Sequence, residues 1–204
     1  MVARHLEARG IEDPLVLQAM GVVPREEFVS EPLKEFAYED SALPIEAGQT
    51  ISQPYIVARM IELLELEPTD KVLEVGAGSG YAAALLARLA REVVALERDA
   101  ELAELARGRL AALGCANVEL RCADGSLGCP ERAPFDAILV SAAAAGRVPP
   151  ALLAQLAPGG RLVAPVGAEH GEQTLLRIEK RADGGLDSRD LGAVQFVPLV
   201  EGPG

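Results

Sequence analysis

Aromatic residues are scarce in this 204-residue chain: tryptophan is absent, and Phe, Tyr and Trp together make up 3%. So few rings argue against a surface on which successive bases stack. Positive charge is also short, since 19 Lys and Arg stand against 31 Asp and Glu, for a formal net charge of −12. Such an acidic surface repels phosphate backbones, so nucleic acid is not an expected partner. The only cysteines are Cys115, Cys122 and Cys129, with no C-x-x-C pair, and the two histidines, His5 and His170, sit at no metal-ligand spacing. The expectation is reduced thiols packed as small apolar groups, with no disulfide framework and no metal. No apolar run reaches membrane-spanning length, and Arg4, Glu7 and Arg9 break up the N-terminus. Neither a transmembrane helix nor a secretory leader is expected, and the predicted location is the cytoplasm. Repeats, low-complexity tails and long linkers are missing too, which leaves one domain.

What is present is a chain half of whose residues are hydrophobic, long enough for one well-filled core. Up to about residue 36 the pattern is short helices. Asp13 before Pro14 reads as an N-cap, and Pro24 with Glu26 and Glu27 starts another helix. Residues 37–50, with Pro44 and Gly48, look irregular. A helix over 54–65 follows, with Ile56, Met60, Ile61 and Leu64 on its apolar stripe. From Lys71 strands and helices alternate: strands at 71–75, 92–97, 117–121, 135–141 and 160–166, helices at 79–90, 99–113 and 149–157. Pro158-Gly159-Gly160 reads as the turn into the fifth strand. Residues 173–180 and 193–199 then read as an antiparallel edge pair across the polar segment 182–190. The predicted class is α/β: a doubly wound, mostly parallel sheet with antiparallel C-terminal edge strands and an N-terminal helical cap. The single domain 1–204 divides into a helical and loop segment (1–66), a core (71–167) and edge strands (168–204).

The run from Lys71 to Tyr81 carries the chemistry. An apolar strand leads into Gly76, Gly78 and Gly80, with Glu74 two residues before the first glycine and a helix opening at about Ser79. Glycines let the backbone approach a ligand, and the N–H groups of the next helix face it. A dinucleotide fingerprint would place its third glycine at position 81, where this chain has Tyr81, read here as a core-facing ring. The next strand ends in Glu97, about twenty residues after the first glycine, where such folds bind ribose hydroxyls. Together these features favour a nucleoside site over a plain strand-to-helix turn with a solvated Glu97. The G-x-G-x-G spacing resembles the first motif of S-adenosylmethionine (SAM) methyltransferases.

Further stretches narrow the resemblance. They are Gly48-Gln-Thr-Ile-Ser-Gln-Pro54; Asp124-Gly125; 133–138; Ala142-Ala-Ala144; 149–156; Pro158-Gly-Gly-Arg-Leu162; Pro165-Val-Gly167; and Phe196-Val-Pro-Leu199. Taken in order, over about residues 20–200, they are similar to the protein-L-isoaspartate (D-aspartate) O-methyltransferase family, and Thr50-Ile-Ser-x-Pro54 is the discriminating element. The resemblance implies a Rossmann-like class I fold with SAM as cofactor. It also implies methyl transfer to the α-carboxylate of L-isoaspartyl residues in damaged proteins and peptides. The products would be S-adenosylhomocysteine and an ester that proceeds through a succinimide toward normal aspartate. Ser52 falls on the family's active-site serine, hydrogen bonding the carboxylate or positioning the methyl rather than attacking. Gln49, Thr50 and Ile51 would close over cofactor and substrate. Gly76, Gly78 and Gly80, with Glu74, would line the amino-acid end of SAM. Glu97 would hold the ribose with Arg98 beside it, Asp124 and Gly125 would contact the adenine, and Val197, Pro198 and Leu199 would run along the substrate backbone. A monomer is expected.

The chemistry agrees with what the chain lacks. A carboxylate with a pKa of about 4 is already ionised at neutral pH, so no general base is needed and no His/Asp pair is missed. No Arg or Lys stands within 48–54, so backbone N–H groups and the Ser52 hydroxyl must receive the acceptor. Other readings stay open from sequence. Ser52 could N-cap the following helix, Asp124-Gly125 could be turn chemistry, Phe196 and Leu199 could be core, and His170 could be an exposed loop residue without a role. Ala123, Cys129 and Ala145-Gly146 depart from the family's usual residues around the adenine pocket. Competing functions are a SAM methyltransferase for another carboxylate, a nucleoside-binding module without catalysis and a dinucleotide oxidoreductase.

Overall fold

The computed structural model describes residues 1–168 and 171–202. Short helical turns, Val2–Leu6 and Glu7–Arg9, open the chain and end at Gly10, whose φ of +88° suits glycine. Helix α1 (Pro14–Val22) begins as the sequence predicts: Asp13 accepts hydrogen bonds from the N–H groups of Leu15 and Val16, a cap worth about 1 kcal/mol. The expected helix after Pro24 is a 3-10 turn, Arg25–Phe28. Strands β1 (Leu43–Pro44) and β2 (Thr50–Ile51) pair as a two-stranded ribbon, which orders part of the segment read as irregular. Helix α2 (Pro54–Glu62) follows and stops short of residue 65, where Glu65 adopts a left-handed φ of +49°. The Glu62 carboxylate accepts from the Glu12 and Asp13 N–H groups at 2.7 and 3.0 Å, tying α2 to the start of α1.

The core then alternates: β3 (Lys71–Val75), α3 (Tyr81–Leu86), β4 (Glu92–Glu97), α4 (Ala100–Ala112), β5 (Val118–Cys122), β6 (Phe135–Val140), α5 (Pro150–Gln155), β7 (Leu156–Gly167), β8 (Gln173–Lys180) and β9 (Leu186–Val194). The sheet order is β5-β4-β3-β6-β7-β8-β9, parallel through β7 and antiparallel at β8 and β9. Alternate residues of the central strands feed two cores. Val72, Val93, Ala95, Ala137 and Leu139 join the N-terminal cap, while Leu73, Val75, Val94, Leu96, Ile138 and Val140 face α5. Strand order reverses between β3 and β6, so a crevice opens at their carboxyl ends, where open α/β sheets bind ligands.

Four expectations need correction. Helix α3 starts at Tyr81 rather than Ser79, because Gly80 (φ +90°) forms a left-handed step before it, and its regular part ends at Leu86. Pro158-Gly159-Gly160 is not a turn before a strand but lies within β7. Register there passes from Phe135–Leu156 to Ala137–Arg161, and Gly159 supplies the positive φ of the irregularity. The last strand is 186–194, not 193–199. The turn that closes on Arg181 and Gly185 folds β9 back earlier, and as an exposed edge β9 carries no apolar alternation to betray it. Residues 197–199 run beside Ala143 instead, with Ala143 N–H to Val197 O and Leu199 N–H to Ala143 O both at 2.8 Å. Finally, all three thiols are free, but Cys122 is exposed rather than packed, whereas Cys129 is buried. His170 lies outside the described residues. No helix among the described residues is long and apolar enough to cross a membrane.

Candidate active site

The turn after β3 is pulled against β4. Gly76 and Ala77 both donate to the Leu96 carbonyl, at 2.9 and 3.0 Å. Glu97, at the end of β4, is no solvated strand-end acid. It is buried, and its carboxylate accepts the Gly78 N–H at 2.8 Å and the Asp99 N–H at 3.0 Å. Gly76, Gly78, Glu97, Arg98 and Gly125 line one cavity together with Gln49, Thr50, Val197, Pro198 and Leu199. Gly125 has no alternative, since a Cβ there would lie 2.5 Å from Cγ1 of Val75. Its neighbour Asp124 is a turn residue. Its carboxylate takes the Ser126 N–H and hydroxyl at 2.9 and 2.7 Å and the Gly202 N–H at 2.7 Å. Burial pushes the pKa of Asp124 up, and these donors outweigh it and hold it below the ordinary value. Asp124 therefore shapes the wall that Gly125 presents. Gly80 stands apart: its missing Cβ faces Ala106 at 3.2 Å and Leu110 at 3.5 Å, so it serves the packing of α3 on α4.

A second, smaller cavity adjoins the first and is lined by Ile51, Ser52, Glu74 and Tyr81, with Thr50, Gly76, Gly78 and Ser141 common to both. Glu74 is fully buried, and neither of its carboxylate oxygens has a hydrogen-bond partner among the described residues. Burial, and then the charge of Glu97, push its pKa well above the glutamate range. An unpaired buried carboxyl is costly, and a cationic ligand relieves that cost. Tyr81 is a core ring as expected, edge-on to Phe28 at 5.3 Å with the Arg25 guanidinium 4.9 Å from its centroid. Its hydroxyl pKa is pushed up to about 12 by burial.

A third cavity, of about 730 Å³, lies on the other side of Ser52 and is bounded by Arg9, Tyr55, Gln195, Phe196, Val197 and Pro198. The capping alternative for Ser52 fails: the N-cap of α2 is Gln53, with no side-chain capping bond, and the Gln53 amide reaches Asp40 instead. Phe196 is largely buried, as the core reading has it, and is held by reciprocal bonds with Gln173, at 2.7 Å through its N–H and 3.1 Å through its carbonyl. Leu199 is half-buried and lines the first cavity. Two residues border all three cavities: Thr50 and Ser141. Ser141 went unnoticed in the sequence. It is the polar residue ending the 135–141 run, on the strand that flanks the switch point, and its N–H donates to Val75 O at 2.8 Å. Applying the switch-point rule to that run would have found it. Arg9 and Tyr55 carried no signal, because only folding brings them to the site.

The residues present suit SAM. The orphaned Glu74 carboxyl offers a partner for a cation, Glu97 for hydroxyls, and the Gly125 wall an uncluttered approach for a flat base. Sheet and crevice together place the chain among the SAM-dependent methyltransferases. A solved structure of a protein-L-isoaspartate O-methyltransferase superposes with a TM-score of 0.86 at 32% identity, covering 97% of this chain and 65% of that one. A Plasmodium falciparum chain, described as a protein-L-isoaspartate O-methyltransferase in complex with S-adenosyl-L-homocysteine, gives a TM-score of 0.82 at 27% identity, over 98% of this chain and 97% of that one.

The model of the protein-L-isoaspartate(D-aspartate) O-methyltransferase family matches residues 1–204, and the chain belongs to that family. A protein-L-isoaspartate O-methyltransferase from Methylorubrum extorquens (strain PA1) is 61% identical over 204 residues, covering 100% of this chain and 88% of the relative. One from Pelobacter propionicus (strain DSM 2379 / NBRC 103807 / OttBd1) is 54% identical, covering 100% and 90%. The expected reaction class, SAM-dependent methyl transfer in isoaspartate repair, therefore holds, and the dinucleotide oxidoreductase reading falls.

Proposed function

We propose that the chain methylates the α-carboxylate of L-isoaspartyl residues with Ser52 at the junction of two ligand sites. Glu74, Gly76, Gly78, Glu97 and Gly125 hold SAM on one side, with Gln49, Thr50, Ile51, Arg98 and Asp124 around them. The acceptor backbone lies along Val197 and Pro198, which border the cavity on the other side, and continues past Leu199, which borders the cofactor cavity. One observation carries this reading: Ser52 borders both the cavity that contains Glu74 and the 730 Å³ cavity beyond it. When bound, SAM supplies a methyl group on a sulfonium, already electrophilic. What the chain must do is align the acceptor carboxylate, keep water out and hold the cofactor's charge. Alignment of this kind is worth about 7–11 kcal/mol.

The loop that bears Ser52 is held at several points. Ile45 N–H donates to Gln49 O at 2.8 Å, Ile51 is buried, and Glu46 pairs with Arg109 of α4 at 2.9 Å. The Ser52 hydroxyl, not engaged as a cap, is available as a neutral donor to one carboxylate oxygen. A neutral donor suits the reaction. Negative charge on the acceptor oxygen disappears during transfer, so a cation placed on it would stabilise the ground state more than the transition state. That accounts for the lack of Arg and Lys within 48–54. The partners are isoaspartyl proteins and peptides, handled by a monomeric, single-domain enzyme in the cytoplasm. Its charge of −12 disfavours nucleic acid, and its three free thiols suit a reducing compartment.

The test is methyl transfer from labelled SAM to paired peptides that differ only in isoaspartate versus aspartate. Base-labile label on the isoaspartyl peptide alone is expected. Label on neither, with SAM bound, would move the function to another acceptor or to a binding module.

A further inference from the structure

The acceptor cavity contains a single charged side chain, Arg9, among the described residues that line it. Its position is fixed from both directions. Leu6 and Ile11, on either side in sequence, are fully or almost fully buried, and Gly10 makes a left-handed turn between Arg9 and Ile11. The guanidinium lies over the Tyr55 ring, 3.6 Å from its centroid, and its Nη1 donates to Asp40 Oδ2 at 2.5 Å.

Asp40 is committed elsewhere as well. Its Oδ2 also takes the Gln53 amide at 2.9 Å, and its Oδ1 takes the Tyr55 N–H at 3.2 Å. The anion sits behind the cation: the side chain of Asp40 is 16% exposed and that of Arg9 is 44% exposed. A guanidinium has five N–H donors in a fixed fork, and the Asp40 bond uses one of them. The result is a pre-positioned cation facing the cavity, in a protein whose net charge is −12.

We propose that Arg9 determines acceptor specificity: it receives the carboxylate of an acidic side chain flanking the isoaspartyl residue, so that acidic flanks are favoured over basic ones. The inference rests on the assignment of the 730 Å³ cavity to the acceptor. The target is the flank and not the reacting carboxylate, because a cation on the reacting oxygen would hold the ground state and slow transfer. Stacking on Tyr55 and the bond to Asp40 limit the rotamer entropy that a free arginine would lose on binding.

The experiment measures kcat/KM for isoaspartyl peptides with Glu or Lys at each neighbouring position, using wild type, Arg9→Gln, Arg9→Lys and Arg9→Glu. Wild type is expected to prefer Glu over Lys by about three- to fivefold at one or more positions at low salt, mostly through KM and weakening as salt screens the pair. Arg9→Gln should bring that ratio to about 1, Arg9→Lys should keep part of it, and Arg9→Glu should reverse it. Affinity for S-adenosylhomocysteine should stay the same in all four, which separates a flank contact from a damaged fold. A ratio near 1 in wild type, or one that ignores the charge at position 9, would overturn the proposal. The isoaspartate-versus-aspartate comparison in wild type independently reports whether the proposed reaction itself fails.

Discussion

The two sides of Ser52 are built differently. On the cofactor side, apart from Gln49, Thr50 and the 197–200 stretch, the walls are strand ends and the turns that leave them: Gly76 and Gly78 after β3, Glu97 closing β4, Ser141 just after β6 and Gly125 shortly after β5. On the acceptor side they come from the N-terminal turn at Arg9, the start of α2, the end of the exposed edge strand and the extended segment after it. The first set is held by sheet hydrogen bonds and permits few residue types. The second is assembled from distant stretches, of which Ala193, Val194 and Phe196 are tied to β8 and the rest come from outside the main sheet. Under the proposed assignment, the cofactor side draws mostly on strand ends and the acceptor side mostly on segments added outside them.

Substitutions can break that division. The largest effect is expected from Gly125→Val. With Val75 Cγ1 only 2.5 Å from the position of a Cβ, the strand and the turn must separate. We expect a stability loss of about 1–3 kcal/mol by thermal unfolding and no measurable S-adenosylhomocysteine binding by calorimetry. Next, Glu74→Gln should weaken cofactor affinity about 10- to 100-fold while leaving the acceptor KM nearly unchanged, since the acid faces only the cofactor side.

The same residue gives a pH signature. Its folded pKa is raised, so above the ordinary glutamate value of 4.5 the folded state holds a proton that the unfolded state has released. Stability of the ligand-free protein should therefore fall as pH climbs from that value toward the raised one, by at most about 1.4 kcal/mol per pH unit from this group. Glu74→Gln should remove that part of the slope in denaturant titrations at several pH values. The smallest effect expected is that of Ser52→Ala: turnover down about tenfold, with S-adenosylhomocysteine affinity the same, because the hydroxyl orients an acceptor whose charge is fading. An equal loss of cofactor affinity would erase the distinction between the two sides.

How much could be read beforehand follows the same division. Buried parallel strands announce themselves as apolar runs, so β3, β4 and β6 were legible to within a residue, as was the cap at Asp13, whose side chain accepts from Leu15 and Val16. Gly76, Gly78 and Ser52, singled out by residue type and spacing, do line the cavities. The edge strand β9 was not, since exposure lets it be polar throughout. Nor was the irregularity inside β7, where Pro158 and Gly159 mimic a turn. Gly80 looked like a member of the ligand-facing series, but the place a Cβ would take there is filled by Ala106 and Leu110 of α4. Arg9 was invisible because its meaning comes from Tyr55 and Asp40, which lie 46 and 31 positions away in sequence.

Val197 and Pro198 have one further consequence. Both border the cofactor cavity and the acceptor cavity, on a stretch of backbone bonded to Ala143 from either end. A single partition serving two compartments cannot move for one occupant without being felt by the other. Under the proposed assignment, any effect of one ligand on the affinity of the other is returned in full by linkage.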